Sequence, residues 1–152
     1  MAEFAFDRTV EVTGGPESIW ELITDVPRLV SWIGVVHNAR EIAPLEKYSA
    51  VIADKVGMFK LNADLNIRFT DVRVSELIIA RAEGKDRQLG SRITINGEVQ
   101  LDPGPSTTTV RVSGSYGITG NVATLGSSAI KRKGDKVLEE FFGNLESDLS
   151  AL

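Results

Sequence analysis

The stretch that most constrains this chain is its C-terminal run, residues 119–152. Apolar residues recur there at helical spacing: Val122, Leu125, Ala129, Ile130, Val137, Phe141, Leu145 and Leu149. At 1.5 Å per residue the spacing predicts a helix ~45 Å long. Such a helix must bury its apolar stripe, and in a chain of 152 residues only a large curved sheet can cover it. A straight helix cannot touch a concave sheet everywhere. The gap between them predicts a cavity.

The residues before the helix supply such a sheet. Phe4, Phe6, Val10 and Val12 alternate with polar residues and read as a half-buried first strand. Gly14-Gly15-Pro16-Glu17 then opens a short helix, with proline at its first position and Ile19, Trp20, Leu22 and Ile23 on its buried side. Asp25 before Val26-Pro27 reads as the N-cap of a second short helix carrying Leu29, Val30, Trp32 and Ile33 and stopping near Gly34. From Val35 to Thr119 the pattern is strand and turn. In residues 59–69, Phe59, Leu61, Ala63, Leu65, Ile67 and Phe69 face one way while Lys60, Asn62, Asp64, Asn66 and Arg68 face the other. Turns are expected at 45–47, at Gly57, at the charged Glu83-Gly84-Lys85-Asp86 and at Asp102-Pro103-Gly104-Pro105. A strand at 76–82 and the alternations Ile93, Ile95, Val99, Leu101 and Val110, Val112, Tyr116, Ile118 complete the sheet. The fold class is α+β: one domain over residues 1–152, with about seven antiparallel strands, two short helices after the first, and the long helix across the concavity.

Whole-chain properties narrow the function. The net charge of −4 argues against nucleic-acid binding. With no cysteine there is neither disulfide nor thiolate site, which fits a cytoplasmic protein. The N-terminus enters a strand pattern directly, without an apolar signal core, and no segment approaches the ~20 apolar residues of a membrane span. His37 is the only histidine and no acidic pair stands near it at ligand spacing, so a metal site is not expected. No nucleophile elbow or phosphate loop is present, so the expected catalytic set is empty, and no cofactor is implied.

The run PESIWELITDVPRL resembles the opening of the START-like superfamily, the SRPBCC group, which has the helix-grip fold. YSAVIADKVGMFKLNADLNI and GSYGITGNVATLGSSAIKRKGDKVLEEFFGNL resemble CoxG, the G-subunit family of carbon monoxide dehydrogenase. The shared features are Lys55-Val56-Gly57 before an alternating strand, the segment 120–126 opening the last helix, and the pair Phe141-Phe142. Where that family often has Ile-Pro-Gly, this chain has Trp32-Ile33-Gly34, closer to the broader superfamily. The resemblance implies an accessory role to a molybdenum hydroxylase of the carbon monoxide dehydrogenase type, in electron delivery or in maturation, and carriage of a quinone or similar apolar molecule. Some members are tethered to the membrane by a C-terminal extension. This sequence ends at Leu152, so peripheral contact, at the inner face of the membrane, is expected from the domain itself.

The expected function is non-enzymatic binding of an apolar, quinone- or lipid-like molecule. The expected lining is Trp32, Phe59, Leu61, Leu65, Ile67, Ile95, Tyr116, Val122, Leu125 and Ala129. Trp20, among aliphatics, reads as core. Lys131, Arg132, Lys133 and Lys136 form a cationic cluster that a solvated face explains and that anionic headgroups would attract. Lys133 is in helical phase with Val122 and Ala129, so it reaches the pocket rim or the polar end of a ligand. Gly126 and Gly134 each cost a helix interior about 1 kcal/mol. The stripe also rotates between its two halves, and together these predict a bend or a change of partner near Gly134, with the first half, where it is the looser, as a lid. Two alternatives remain open. A polyketide cyclase-like enzyme would need titratable groups inside the cavity, for which Tyr116, Asp54 and Arg68 are the candidates. An assembly factor with a filled core would act through its surface.

Overall fold

The computed structural model describes residues 2–56, 58–87 and 90–152. Seven strands form one antiparallel sheet: β1 (Ala2–Val12), β2 (Val36–Ala43), β3 (Lys47–Val56), β4 (Phe59–Arg73), β5 (Leu77–Asp86), β6 (Arg92–Pro103) and β7 (Thr108–Thr119). Their order is β1-β7-β6-β5-β4-β3-β2. Strands β2 to β7 are therefore a meander, and β1 pairs with the last of them. Helices α1 (Pro16–Ile23) and α2 (Val26–Ser31) fill the β1–β2 connection, and α3 (Ser127–Ser150) follows β7. This is the helix-grip architecture expected from the sequence.

Local chemistry explains each boundary of the short helices. Pro16 needs no partner for the N–H it lacks, so it starts α1 at no cost. The Asp25 carboxylate accepts the Arg28 N–H at 3.4 Å and starts α2. The turn before β3 falls at residues 44–46. Leu45 adopts φ 56° there, and its N–H donates to the Tyr48 hydroxyl at 2.8 Å. The expected turn at Gly57 lies outside the described residues.

Two sequence expectations are corrected. The charged run Glu83-Gly84-Lys85-Asp86 is not a turn but the end of β5, where Gly84 stands opposite Leu65 on β4 and Ile93 on β6. A Cβ at Gly84 would lie 2.7 Å from Leu65 Cδ2, so the glycine makes room for that side chain. Asp86 is buried, and its carboxylate accepts the Asn62 N–H at 2.8 Å. The second correction concerns the long helix. The run is not one helix but is broken at Gly126, and the change of partner expected near Gly134 is seen within α3: Ile130 packs with one end of the sheet, and Phe142, Leu145 and Leu149 with the other. A short 3₁₀ segment, Asn121–Leu125, is separated from α3 by Gly126 at φ 90°. Within α3 the inward positions Ile130, Lys133, Val137, Phe141, Leu145 and Leu149 keep one face, over about 36 Å of helix.

Two apolar clusters hold the layers together. One joins α1, the C-terminal half of α3 and one end of the sheet, through Ile19, Trp20, Val110, Phe142, Leu145 and Leu149. The other joins the 3₁₀ segment and the start of α3 to the opposite end, through Ala50, Leu61, Leu65, Val122 and Ile130. Trp20 is core, as expected. Between the two clusters the helix and sheet separate.

Candidate ligand cavity

The space between the clusters is a cavity of about 410 Å³. Its roof is α3, through Ile130, Val137, Leu138, Phe141 and Phe142. Its side wall is α1–α2 and the loop after it, through Ile23, Val26, Leu29, Val30 and Ile33. The sheet is its floor.

The register shows why the floor is low. One row of inward positions runs across five strands as Phe6, Gly114, Gly97, Ala80 and Phe69. Three small residues lie between two phenylalanines. At Gly97 an added Cβ would meet nothing within 4 Å, so this glycine opens onto space. At Gly114 a Cβ would strike the Asn96 carbonyl oxygen and the Phe6 ring, so there the small residue serves close packing. The sequence carries this row as gaps in two alternations, at 97 and 114, where an apolar side chain is due.

Polar groups in the lining are few. Asp54 continues the inward alternation Tyr48, Ala50, Ile52 on β3 and stands opposite Leu61. Lys133 reaches down from α3, and its Nζ lies 2.8 Å from Asp54 Oδ2. Their side chains keep 34% and 18% exposure for lysine and aspartate, so water still screens the pair partly. Tyr116 on β7 lies between Phe4 and Ile95 in register, its ring 5.4 Å from that of Phe4. Its hydroxyl is buried against Gly134, and no hydrogen-bond partner for it is found among the described residues. Burial, with a lesser contribution from Asp135, pushes its ionisation above the ordinary tyrosine value. The group therefore stays a neutral O–H donor. Glu98 also borders the cavity, but it is on the opposite phase of β6 from Ile95 and Val99, and its charge acts on Arg111.

Of the expected lining, Leu61, Ile67, Ile95, Tyr116 and Val122 border the cavity. Trp32, Phe59, Leu65, Leu125 and Ala129 are not part of its wall, and each has a local reason. Trp32 stands one layer behind, edge-on to Phe141 with centroids 5.9 Å apart, and Phe141 takes the wall position. Leu65 fills the space over Gly84. Phe59 and Leu125 pack around the second cluster. Ala129 precedes the roof and is only half-buried. The expected lining took only Trp32 from the α1–α2 region and none of its aliphatics, and Asp54 entered only as a candidate of the cyclase alternative. The signal for both was present: apolar residues at i, i+3 and i+4 on a helix too short to need them, and an acid on the apolar phase of a strand.

The cationic cluster is smaller than its sequence suggests. Lys131 bonds Asp135 one turn on at 2.6 Å, and Lys133 is held by Asp54. Arg132 and Lys136 remain exposed. Arg68 is exposed, on the outer phase of β4, which removes it from the cyclase candidates. His37 is exposed on β2. Among the described residues no group of three or more His, Asp or Glu side chains is placed to hold a metal ion.

The first half of α3 is tied to the sheet by the Lys133–Asp54 pair and Ile130, and the second half by further polar contacts. Arg28 Nη2 lies 2.9 Å from Asp148 Oδ2, and Arg8 Nη2 2.8 Å from Glu146 Oε1. Asn144 donates to the Trp32 carbonyl at 3.2 Å, and the Gly34 N–H donates to Glu140 at 3.1 Å. The loop after α2, which borders the cavity, is thereby tied to the roof helix.

Known proteins share both the sequence pattern and the fold. The pattern of CoxG, the G subunit of carbon monoxide dehydrogenase, matches residues 9–150. None of the curated proteins matches significantly. Among solved structures, a conserved protein from Geobacillus kaustophilus is similar, with TM-score 0.78 and 19% identity, covering 96% of this chain and 95% of that one. A START superfamily protein from Mycobacterium smegmatis gives TM-score 0.68 and 14% identity over 95% and 96% of the two chains. A protein from Thermus thermophilus gives 0.65 and 14% over 95% and 96%. At such identities the likeness is one of fold, and the fold is START-like.

Proposed function

The chain belongs to the CoxG family, the G subunits of carbon monoxide dehydrogenase, and from that premise we propose that it is a non-enzymatic carrier of an apolar, quinone- or lipid-like molecule. The enzyme it serves is a molybdenum hydroxylase of the carbon monoxide dehydrogenase type. One observation carries the reading: a cavity of about 410 Å³ whose wall is almost wholly apolar. That volume falls in the range of about 300–1,000 Å³ typical of small-molecule sites. A surface-acting assembly factor has no need of such a space, which costs packing energy.

The cyclase-like alternative has one observation in its favour, the presence of Asp54, Lys133 and Tyr116 in one lining. It is the weaker reading, because Asp54 and Lys133 are spent on each other and Tyr116 holds its proton more tightly than usual. Catalytic turnover of a cyclisable polyketide chain would reverse that ranking.

Carriage between membrane and enzyme calls for a cytoplasmic protein that touches the inner membrane face transiently. No helix among the described residues is long and apolar enough to cross a membrane. Exposed Arg132 and Lys136 contribute about 1 kcal/mol each toward anionic lipid, enough for brief contact only. Flotation with anionic vesicles should therefore recover a minor, salt-sensitive fraction, and salt-resistant binding would overturn the transient picture.

The decisive experiment is native mass spectrometry of the gently purified protein, followed by extraction of the bound fraction. A stoichiometric apolar molecule, of isoprenoid quinone mass in the sharpest outcome, supports the carrier. A protein that arrives ligand-free and takes up no added quinone or lipid sinks it in favour of the assembly factor.

A further inference from the structure

One side of the cavity is closed by polar contacts rather than by packing. The backbone of α3 packs most closely against β1 and the 3₁₀ segment, and stands farther from α2, β2 and β3. Two contacts bridge that wider side. Lys133 Nζ lies 2.8 Å from Asp54 Oδ2 on β3, and the Glu140 carboxylate accepts the Gly34 N–H at 3.1 Å. A Cβ at Gly34 would lie 3.3 Å from Glu140 Oε1, so the glycine lets the carboxylate reach the backbone. Seven residues separate the two helix positions. They therefore share one side of α3, about 10 Å apart. Their partners are joined as well: the Ala53 N–H donates to the Val35 carbonyl at 2.8 Å, linking Gly34-Val35 to Ala53-Asp54. Between the two contacts stand Val137 on the helix and Val35 on the opposite bank, both half-buried and both on the cavity wall. Gly34 and Glu140 are exposed, and the Lys133 and Asp54 side chains are partly so. The seam thus runs from the cavity to solvent. Exposed polar contacts of this kind contribute little to stability and break readily. The β1 side is held more firmly, by backbone packing, by the Arg8–Glu146 pair and by Arg8 over the Phe142 ring.

We propose that this seam is the ligand portal, latched by the Lys133–Asp54 and Glu140–Gly34 contacts. Ligand enters and leaves between α3 and the α2–β2 loop when both contacts are broken, with α3 turning on its β1 side. This rests on the carrier reading above and adds the route of exchange. Opening here displaces two valine side chains and two exposed contacts, and leaves both apolar clusters intact. The latches close the empty and the filled protein alike. They therefore set how fast ligand exchanges, not how tightly it is held.

The test follows uptake and release of neutral, fluorescent phenylnaphthylamine by the full-length protein in stopped flow. Asp54→Asn and Glu140→Ala should each speed both uptake and release by roughly two- to fivefold, the worth of one partly exposed polar contact, at unchanged Kd. The double variant should speed both by roughly tenfold. Arg8→Gln breaks the Arg8–Glu146 pair on the β1 side and should leave both rates at their wild-type values. Added salt reads the latch without any substitution: it should speed exchange in wild type, and less so in Asp54→Asn. Unchanged rates in both seam variants, or an equal acceleration by Arg8→Gln, overturns the portal while leaving the carrier standing. A protein that takes up no probe overturns both.

Discussion

Tyr116 is a residue whose polar group costs the fold stability. Its hydroxyl is buried without a partner among the described residues, and its ring is fixed between Phe4 and the backbone of Gly134. Tyr116→Phe should therefore stabilise the ligand-free protein, by roughly 1 kcal/mol, since it removes a desolvated polar group without opening a hole. A fall in the urea midpoint would show that the hydroxyl is satisfied in solution. The same residue sets an alkaline dependence. Burial raises its folded-state ionisation above 10.0, so its contribution to stability is fully present below that pH and is lost as pH rises through the folded value. Wild type should lose stability above about pH 10 more steeply than Tyr116→Phe. Sequence reading identified Tyr116 from its phase on β7. It left Asp54 and Lys133 unpaired because nothing in one dimension says that β3 and α3 meet. Each was legible singly as a charge on an apolar phase.

Helix α3 shows what an element-level reading can and cannot deliver. The glycines were visible, and so was the rotation of the apolar stripe. The sequence could not say which glycine breaks the helix, because that depends on φ at Gly126 and on the ring lying against Gly134. The structure separates glycines by their surroundings, and substitution tests the separation. At Gly143 an added Cβ meets nothing within 4 Å, so Gly143→Ala should raise stability by about 1 kcal/mol, the helix propensity difference. At Gly134 the Cβ would collide with the Tyr116 hydroxyl and ring, so Gly134→Ala should lower the melting temperature despite the same propensity gain. Equal gains at both positions would mean that α3 does not press on Tyr116.

At the scale of the molecule, the container was more legible than its lining. Strand alternation, two short amphipathic helices and one long one lead to a curved sheet covered by a helix, and the resemblance to the START-like superfamily implies the helix-grip form of it. The lining depends on where a curved sheet and a straight helix part, and that is set by the row Phe6, Gly114, Gly97, Ala80, Phe69, whose members lie far apart in sequence. Phe59 and Leu65 share a strand phase with Leu61 and Ile67, yet only the latter two border the cavity. The same row supplies a test of whether the space exists for a ligand. Glycine within a strand costs roughly 0.5–1 kcal/mol relative to alanine, and at Gly97 there is open space for a larger residue. Gly97→Leu should thus hold or raise the melting temperature of the ligand-free protein while occupying the cavity floor. Ligand at a hundred times its Kd stabilises a protein by about 2.7 kcal/mol, which at this chain length is a rise of roughly 5–10 °C. Wild type should show that rise with a bound quinone, and Gly97→Leu should show almost none of it. A variant that is more stable and no longer stabilised by ligand would mean that the chain forgoes stability to keep the cavity open. A variant that keeps the full ligand-induced rise would place the ligand elsewhere on the molecule.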